Sequence, residues 1–170
     1  MEFSIKPVTL DNLDDIMRIE EKTRPDHHWS RDSFAAELQN SYATYRCAFD
    51  RDGRAVGYYG IWKIFEEAHL TTLAVDPDFR RQKIATRLMF DLIDVCYADM
   101  IKYVTLEVRE SNVPAISLYE KFGFVSIGVR KNYYQDNNEN ALIMFTENIF
   151  YDKFKNNLKK LKTEFGDFAK

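Results

Sequence analysis

The sequence predicts a mixed α/β fold in which a central, mostly antiparallel sheet carries helices on both faces. Runs of period-two alternation recur along the chain, several of them paired across turn residues. Amphipathic runs at helical spacing stand between them. Two strand candidates, Ala68–Val75 and Tyr103–Val108, flank one such run, so they are expected to lie parallel through a right-handed crossover. The flanking hairpins supply the antiparallel part. At 170 residues the chain can bury a substantial core without disulfides.

Each element has a local reason. Phe3–Val8 alternates and predicts a short strand ended by Pro7. Asp11–Lys22 sets Leu13, Ile16, Met17 and Ile19 at helical spacing, with acids in the first turn that favour the helix dipole. Ser30 is placed to cap a helix over Arg31–Gln39, with Trp29 and Phe34 as its hydrophobic staple. Thr44–Phe49 and Ala55–Ile64 predict a hairpin through Asp50–Arg54, where Asp52-Gly53 is the turn signal. Ala68–Val75 ends at Asp76-Pro77, and Thr86–Tyr97 presents Leu88, Met89, Leu92, Ile93 and Cys96 on one helical face. In Tyr103–Val108, Val104, Leu106 and Val108 face one way, Thr105 and Glu107 the other. Ser111 or Asn112 then caps a helix with Pro114 in its first turn, running through Ala115, Ile116, Leu118, Tyr119 and Phe122. Gly123 suits the left-handed position that ends it. Strands at Phe124–Arg130 and Ala141–Thr146 enclose a polar loop, Asp136–Asn140.

The last segment, Glu147–Lys170, repeats Phe150, Phe154, Leu158, Leu161 and Phe165 near helical spacing with lysines opposite. A helix packed on its own domain or a second copy, a partner-docking surface and a mobile tail all fit that pattern. The organisation expected is one domain over residues 1–150 followed by an amphipathic basic helix over 151–170.

Composition narrows the function. A net charge of −3 argues against direct nucleic-acid binding, and the six lysines against three acids after Phe150 leave the remainder more acidic. A mildly acidic body suits a cationic substrate such as an amine. Cys47 and Cys96 stand apart within apolar runs, as buried thiols of a reducing compartment do. The N-terminal MEFSIKP lacks the pattern of a signal peptide, and no apolar run nears the ~18 residues that span a bilayer. A cytoplasmic protein without membrane contact is expected, as a monomer or weak homodimer. His27, His28 and His69 show no metal-ligand spacing, so no metal and no role for these histidines is expected. No Ser-His-Asp arrangement or nucleotide P-loop is evident.

Two tracts carry chemistry. In Leu73–Leu88, LAVDPDFRRQKIATRL, a strand ends and a polar loop leads into a helix N-terminus, where N–H groups and the positive dipole make a cradle for pyrophosphate. Arg80, Arg81 and Lys83 add charge; a basic loop with a solvated helix start fits the same residues. In Leu106–Phe124, LEVRESNVPAISLYEKFGF, Glu107 leaves a strand end and Tyr119 projects from the next helix, an arrangement that acyl transfer can use.

The first tract resembles motif A of the GCN5-related N-acetyltransferase (GNAT) superfamily, Arg/Gln-x-x-Gly-x-Gly/Ala after a strand ending in Val-x-Pro, at Arg80-Arg81-Gln82-Lys83-Ile84-Ala85. Leu-Tyr-Glu-Lys-Phe-Gly-Phe resembles the ending of the matching later motif. Leu-Glu-Val-Arg-x-Ser-Asn, Arg130-Lys131-Asn132-Tyr133-Tyr134, Ala141-Leu142-Ile143-Met144 and Trp29-Ser30 more narrowly resemble the RimI-type ribosomal-protein alanine N-acetyltransferases. The likeness runs from about Phe3 to Thr146 and implies the GNAT fold, with its parallel strands splayed around the cofactor.

The resemblance also implies roles. Leu73, Ala74 and Val75 would pair through their backbone with the pantetheine arm of acetyl-CoA; Arg81, Gln82, Lys83, Ile84, Ala85 and Thr86 would hold its pyrophosphate; Asn112 would also contact it. Glu107 matches the general base and Tyr119 the general acid, while Trp29, Tyr133 and Tyr134 would shape a peptide slot. An α-amine with a pKa near ~8 needs modest help to lose its proton, and a phenol near ~10 can donate to the leaving thiolate. Direct attack needs no covalent enzyme intermediate. One residue departs from the pattern: Lys83 stands where the family has its first glycine. If that site is left-handed, a non-glycine residue costs on the order of 1–2 kcal/mol, which a cation beside a pyrophosphate could offset in part. The expected reaction moves acetyl from acetyl-CoA to a protein N-terminal amine, the N-terminal alanine of a small-subunit ribosomal protein. Acetylation of lysine, a polyamine or another small amine, and a non-catalytic acyl-CoA-binding module, are the alternatives.

Overall fold

The structure is a computed structural model that describes residues 3–166. Its strands are β1 (Ser4–Pro7), β2 (Ala43–Phe49), β3 (Ala55–Ile64), β4 (Glu67–Val75), β5 (Tyr103–Arg109), β6 (Val125–Tyr134) and β7 (Glu139–Phe145). Its α-helices are α1 (Leu13–Thr23), α2 (Arg31–Glu37), α3 (Ile84–Ala98), α4 (Val113–Lys121) and α5 (Asp152–Phe165). The strands are hydrogen-bonded in the order β1-β2-β3-β4-β5-β7-β6. The pairs β1–β2, β2–β3, β5–β7 and β6–β7 are antiparallel. Only Phe65 and Glu66 join β3 to β4, which requires an antiparallel pair; α3 separates β4 from β5, the one parallel pair. This is the predicted mixed sheet.

The chain gathers into two compact units, one built from residues up to Ile64 with Leu70–Asp94, the other from Phe65–His69 with the chain from Val95 onward. In the first, Leu13, Ile16 and Ile19 of α1 share a core with Phe34, Tyr45, Cys47 and Tyr58. Ser30 caps α2 as predicted, its Oγ accepting from the Ser33 N–H at 3.1 Å, and the Trp29 and Phe34 rings stand 5.4 Å apart as the staple requires. α2 ends before the predicted Gln39 because its last turn tightens: the N–H groups of Gln39 and Asn40 donate three residues back, to Ala36 and Glu37. Gly57 on β3 brings three elements close. A Cβ there would lie 2.9 Å from the Ala74 carbonyl oxygen and 3.1 Å from Ile84 Cγ2.

In the second unit, Val104, Leu106 and Val108 of β5 are buried and alternate with their neighbours, as the pattern predicts. Of the two cap candidates, Asn112 is the one used: its Oδ1 accepts from the Ala115 N–H at 3.3 Å. Gly123 adopts φ +87° after α4, and a Cβ there would meet the Phe154 ring at 3.4 Å. The helix α5 packs within this unit through buried Phe154, Leu158 and Leu161. The end of the segment read as its tail, residues 167–170, lies outside the described residues. β6 runs four residues beyond the predicted Arg130, with a register shift between Arg130 and Tyr134 and a left-handed Asn132. Side-chain bonding sustains it there, since Asn140 Oδ1 accepts from the Asn132 N–H at 3.0 Å.

Candidate active site

The phosphate-loop residues all lie in the first unit. β4 delivers Leu73, Ala74 and Val75 to a turn at Asp76, a short 3₁₀ turn over Pro77–Phe79 and an exposed loop. Asp76 is wholly buried. Its carboxylate accepts from the Asp78 N–H at 3.1 Å and from Arg18, and it pairs with Lys22 at 3.1 Å and Arg54 at 3.6 Å. Burial pushes that carboxyl up, but the Asp78 N–H, Lys22 and Arg18 together hold it below the usual aspartate value. Sequence reasoning missed this anchor: two of its cations come from α1, 58 and 54 residues away in the chain.

Arg81 and Lys83 both adopt left-handed backbone, with φ +64° and +63°. The condition under which Lys83 carries a backbone cost is therefore met, and a second left-handed residue precedes it. Alternating backbone of this kind turns successive N–H groups to one side, an anion-binding concavity. The Arg87 N–H donates to the Lys83 carbonyl at 3.1 Å, so the N–H groups of Ile84, Ala85 and Thr86 stand ahead of the helical ladder. The helix starts at Ile84, two residues before the predicted Thr86, because Lys83 supplies that first acceptor. With Arg80, Arg81 and Lys83 exposed around it, the loop suits a pyrophosphate.

Glu107 and Tyr119 both lie in the second unit. Tyr119 on α4 is 7% exposed, its ring centroid 5.7 Å from that of Phe124. The Glu107 side chain is 13% exposed and pairs with two groups: His69 Nε2 lies 2.8 Å from Oε2, and Arg130 Nε lies 3.4 Å from Oε1. The structure thus brings His69, a residue with no expected role, against Glu107. A sequence signal existed: His69 alternates with buried Ala68 and Leu70 on the strand pairing parallel to that of Glu107. Arg109, the sequence neighbour of Glu107, points elsewhere. It pairs with Asp136 at 2.8 Å and Glu139 at 3.3 Å and covers the Tyr134 ring at 3.9 Å.

Asn112 spends its carbonyl oxygen on the helix cap, which leaves its amide NH₂ as two further donors. Tyr133 and Tyr134 form a perpendicular ring pair 5.2 Å apart beside Arg130 and Arg109. Tyr133 is exposed and Tyr134 partly buried, and burial pushes the Tyr134 phenol up. Trp29, in the first unit, is 44% exposed. Among the described residues no group of three or more His, Cys, Asp or Glu could hold a metal ion. No described helix is long and apolar enough to cross a membrane.

A mixed sheet with one parallel pair, a left-handed basic loop before a helix, and a carboxylate and phenol in the next strand–helix unit describe an acyl-transfer enzyme. The chain belongs to the acetyltransferase (GNAT) family, whose model matches residues 13–124, and is an N-acetyltransferase. It is 39% identical over 145 residues to a Bacillus subtilis (strain 168) protein provisionally named ribosomal protein bS18-alanine N-acetyltransferase, covering 84% of this chain and 93% of that one. It is 36% identical over 118 residues to the ribosomal protein bS18-alanine N-acetyltransferase of Escherichia coli (strain K12), covering 68% of this chain and 78% of the relative. The crystal structure of the ribosomal-protein-S18-alanine N-acetyltransferase from Escherichia coli superposes with a TM-score of 0.78 at 31% identity, over 85% of this chain and 93% of that one.

Proposed function

We propose that the protein acetylates the N-terminal alanine of a small-subunit ribosomal protein, with acetyl-CoA as donor, by direct attack in a ternary complex in the cytoplasm. The observation that carries the chemistry is the nearly buried carboxylate of Glu107, held by His69 and Arg130 in the unit that also buries the Tyr119 phenol. The similarity to alanine N-acetyltransferases supports the choice of acceptor.

Bound acetyl-CoA would supply a thioester whose carbonyl carbon an amine can attack. The backbone of Leu73–Val75 aligns its pantetheine arm in this reading. The N–H groups from Arg81 to Thr86, with the Arg81 and Lys83 side chains, neutralise its pyrophosphate. The Asn112 amide adds a donor. Glu107 supplies the negative charge on the side where the attacking amine loses its proton, and Tyr119 donates to the departing sulfur. Trp29, Tyr133 and Tyr134 present aromatic faces to the acceptor peptide.

Thiol release from acetyl-CoA tests this with an alanine-starting peptide, the same peptide with a blocked N-terminus, a lysine peptide and a polyamine. Turnover is expected only with the free alanine N-terminus, and Tyr119→Phe should lower kcat by about 10²-fold while leaving acetyl-CoA affinity within threefold. Preference for lysine or polyamine would overturn the acceptor. Acetyl-CoA binding without thiol release on any acceptor would leave a binding module.

A further inference from the structure

Both oxygens of Glu107 are engaged, Oε2 by His69 and Oε1 by Arg130. Each oxygen thus has a cationic or N–H neighbour that holds the carboxylate in place. His69 is differently situated. Its side chain is 34% exposed, and Glu107, through Nε2, is the only partner of its ring among the described residues. An ionised carboxylate only accepts hydrogen bonds, so it fixes the imidazole proton on Nε2 and leaves a lone pair on Nδ1. This is the logic by which a buried carboxylate orients a catalytic imidazole. It also suits the reaction, because an imidazole, ordinarily near ~6.5, lies closer to an α-amine near ~8 than does a glutamate near ~4.3.

We infer that His69 is a catalytic residue that takes the amine proton on Nδ1, with Glu107 as the positioning residue that holds its tautomer and balances the imidazolium formed. The inference rests on the proposed amine acetylation and changes which atom receives the proton. The balance closes. From ammonium to amide the nitrogen loses two protons, forming one N–C bond as the C–S bond breaks. Both protons leave the nitrogen in turn through Nδ1 of His69, a side chain that solvent reaches and resets. The sulfur takes its proton from Tyr119, whose phenolate regains one from water, so one proton is released net.

The charged and titratable groups around the pair fit this assignment. From β6, the Arg130 guanidinium offers only donors, so it can hold Glu107 but not accept a proton. Tyr134, at the end of the same strand, feels the Glu107 charge and has its phenol pushed up by burial. On β5, Arg109 is committed to Asp136 and Glu139. On β4, Glu67 stands exposed two residues before His69.

The test compares His69→Ala, His69→Gln and Glu107→Gln with the unaltered protein on the alanine peptide at saturating acetyl-CoA. Both His69 variants should lose about 10²-fold in kcat with the acetyl-CoA KM within threefold. Added imidazole should restore part of the His69→Ala rate and none of the Glu107→Gln rate. Full activity in both His69 variants beside a large loss in Glu107→Gln would overturn the inference and leave Glu107 as the base. If no acceptor is acetylated by the unaltered protein, the functional reading fails instead. The pair is then judged by ¹⁵N NMR of the imidazole: an Nε2–H tautomer that Glu107→Ala abolishes supports it, and a tautomer mixture unaffected by that change overturns it.

Discussion

At Lys83 the side chain and the backbone pull in opposite directions. A φ of +63° is the conformation a glycine takes without strain, while the ammonium adds charge to the anion-binding loop. Replacing it separates the two effects. Lys83→Gly should relieve about 1–2 kcal/mol of backbone strain, less about 0.5–1 kcal/mol returned to the unfolded chain. Thermal melting should then rise by about 1–3 °C, while calorimetry should read acetyl-CoA binding weakened a few-fold. A lower melting temperature would show that the left-handed loop is not what the free protein adopts. Asp76 works the other way: its charge is buried and its value is structural, because three cations and an N–H fix the turn from which the loop departs.

Among the elements, α5 has the least predictable role from its sequence and a definite one in the second unit. Its apolar stripe buries Phe154, Leu158 and Leu161, while Lys153, Lys155, Lys159 and Lys160 stay exposed. Phe154 is 2% exposed and packs where Gly123 leaves room after α4. Phe154→Ala should therefore destabilise the protein by about 3–5 kcal/mol, read by urea denaturation. A loss under about 1 kcal/mol, the scale of a surface substitution, would mean that α5 does not contribute to the folded unit. The β6–β7 hairpin depends on polar pinning instead. Glu139 accepts from the Ser111 N–H at 2.8 Å and pairs with Arg109 at 3.3 Å, tying the hairpin to the approach to α4.

Acid tests the whole molecule, since each unit carries a carboxyl held below its usual value. The Ser111 hydroxyl and N–H, with Asn137 and Arg109, lower Glu139 to about 2 against the opposing effect of burial. A lowered carboxyl stabilises the fold above its unfolded value, near ~4.3 for glutamate and ~3.9 for aspartate, and that stability is lost as pH falls through the folded value. Denaturation midpoints should hold from neutral pH to about 4.5 and then fall towards pH 2. Glu139→Gln should flatten the part of that fall below ~4.3; an unchanged acid profile would remove the residue from the account. Cys47 and Cys96 are both buried, and burial pushes the Cys47 thiol up to about 12, in keeping with the structural thiols expected.

The sequence by itself determined the elements and nominated residues for the site. Alternation and helical spacing placed every main strand and helix, since those periods follow from backbone geometry and need no knowledge of what packs opposite. It also marked Glu107, Tyr119 and the loop from Arg81 to Thr86 as candidates, because a strand end or helix start binds charge through its own local groups. The tertiary structure decided which charges meet. Glu107 pairs with His69, 38 residues earlier, and with Arg130 from the hairpin rather than associating with adjacent Arg109. Asp76 meets cations from a helix more than 50 residues away. Sheet order and register set such pairings, and both are fixed by packing between segments distant in the chain, which local periodicity does not encode.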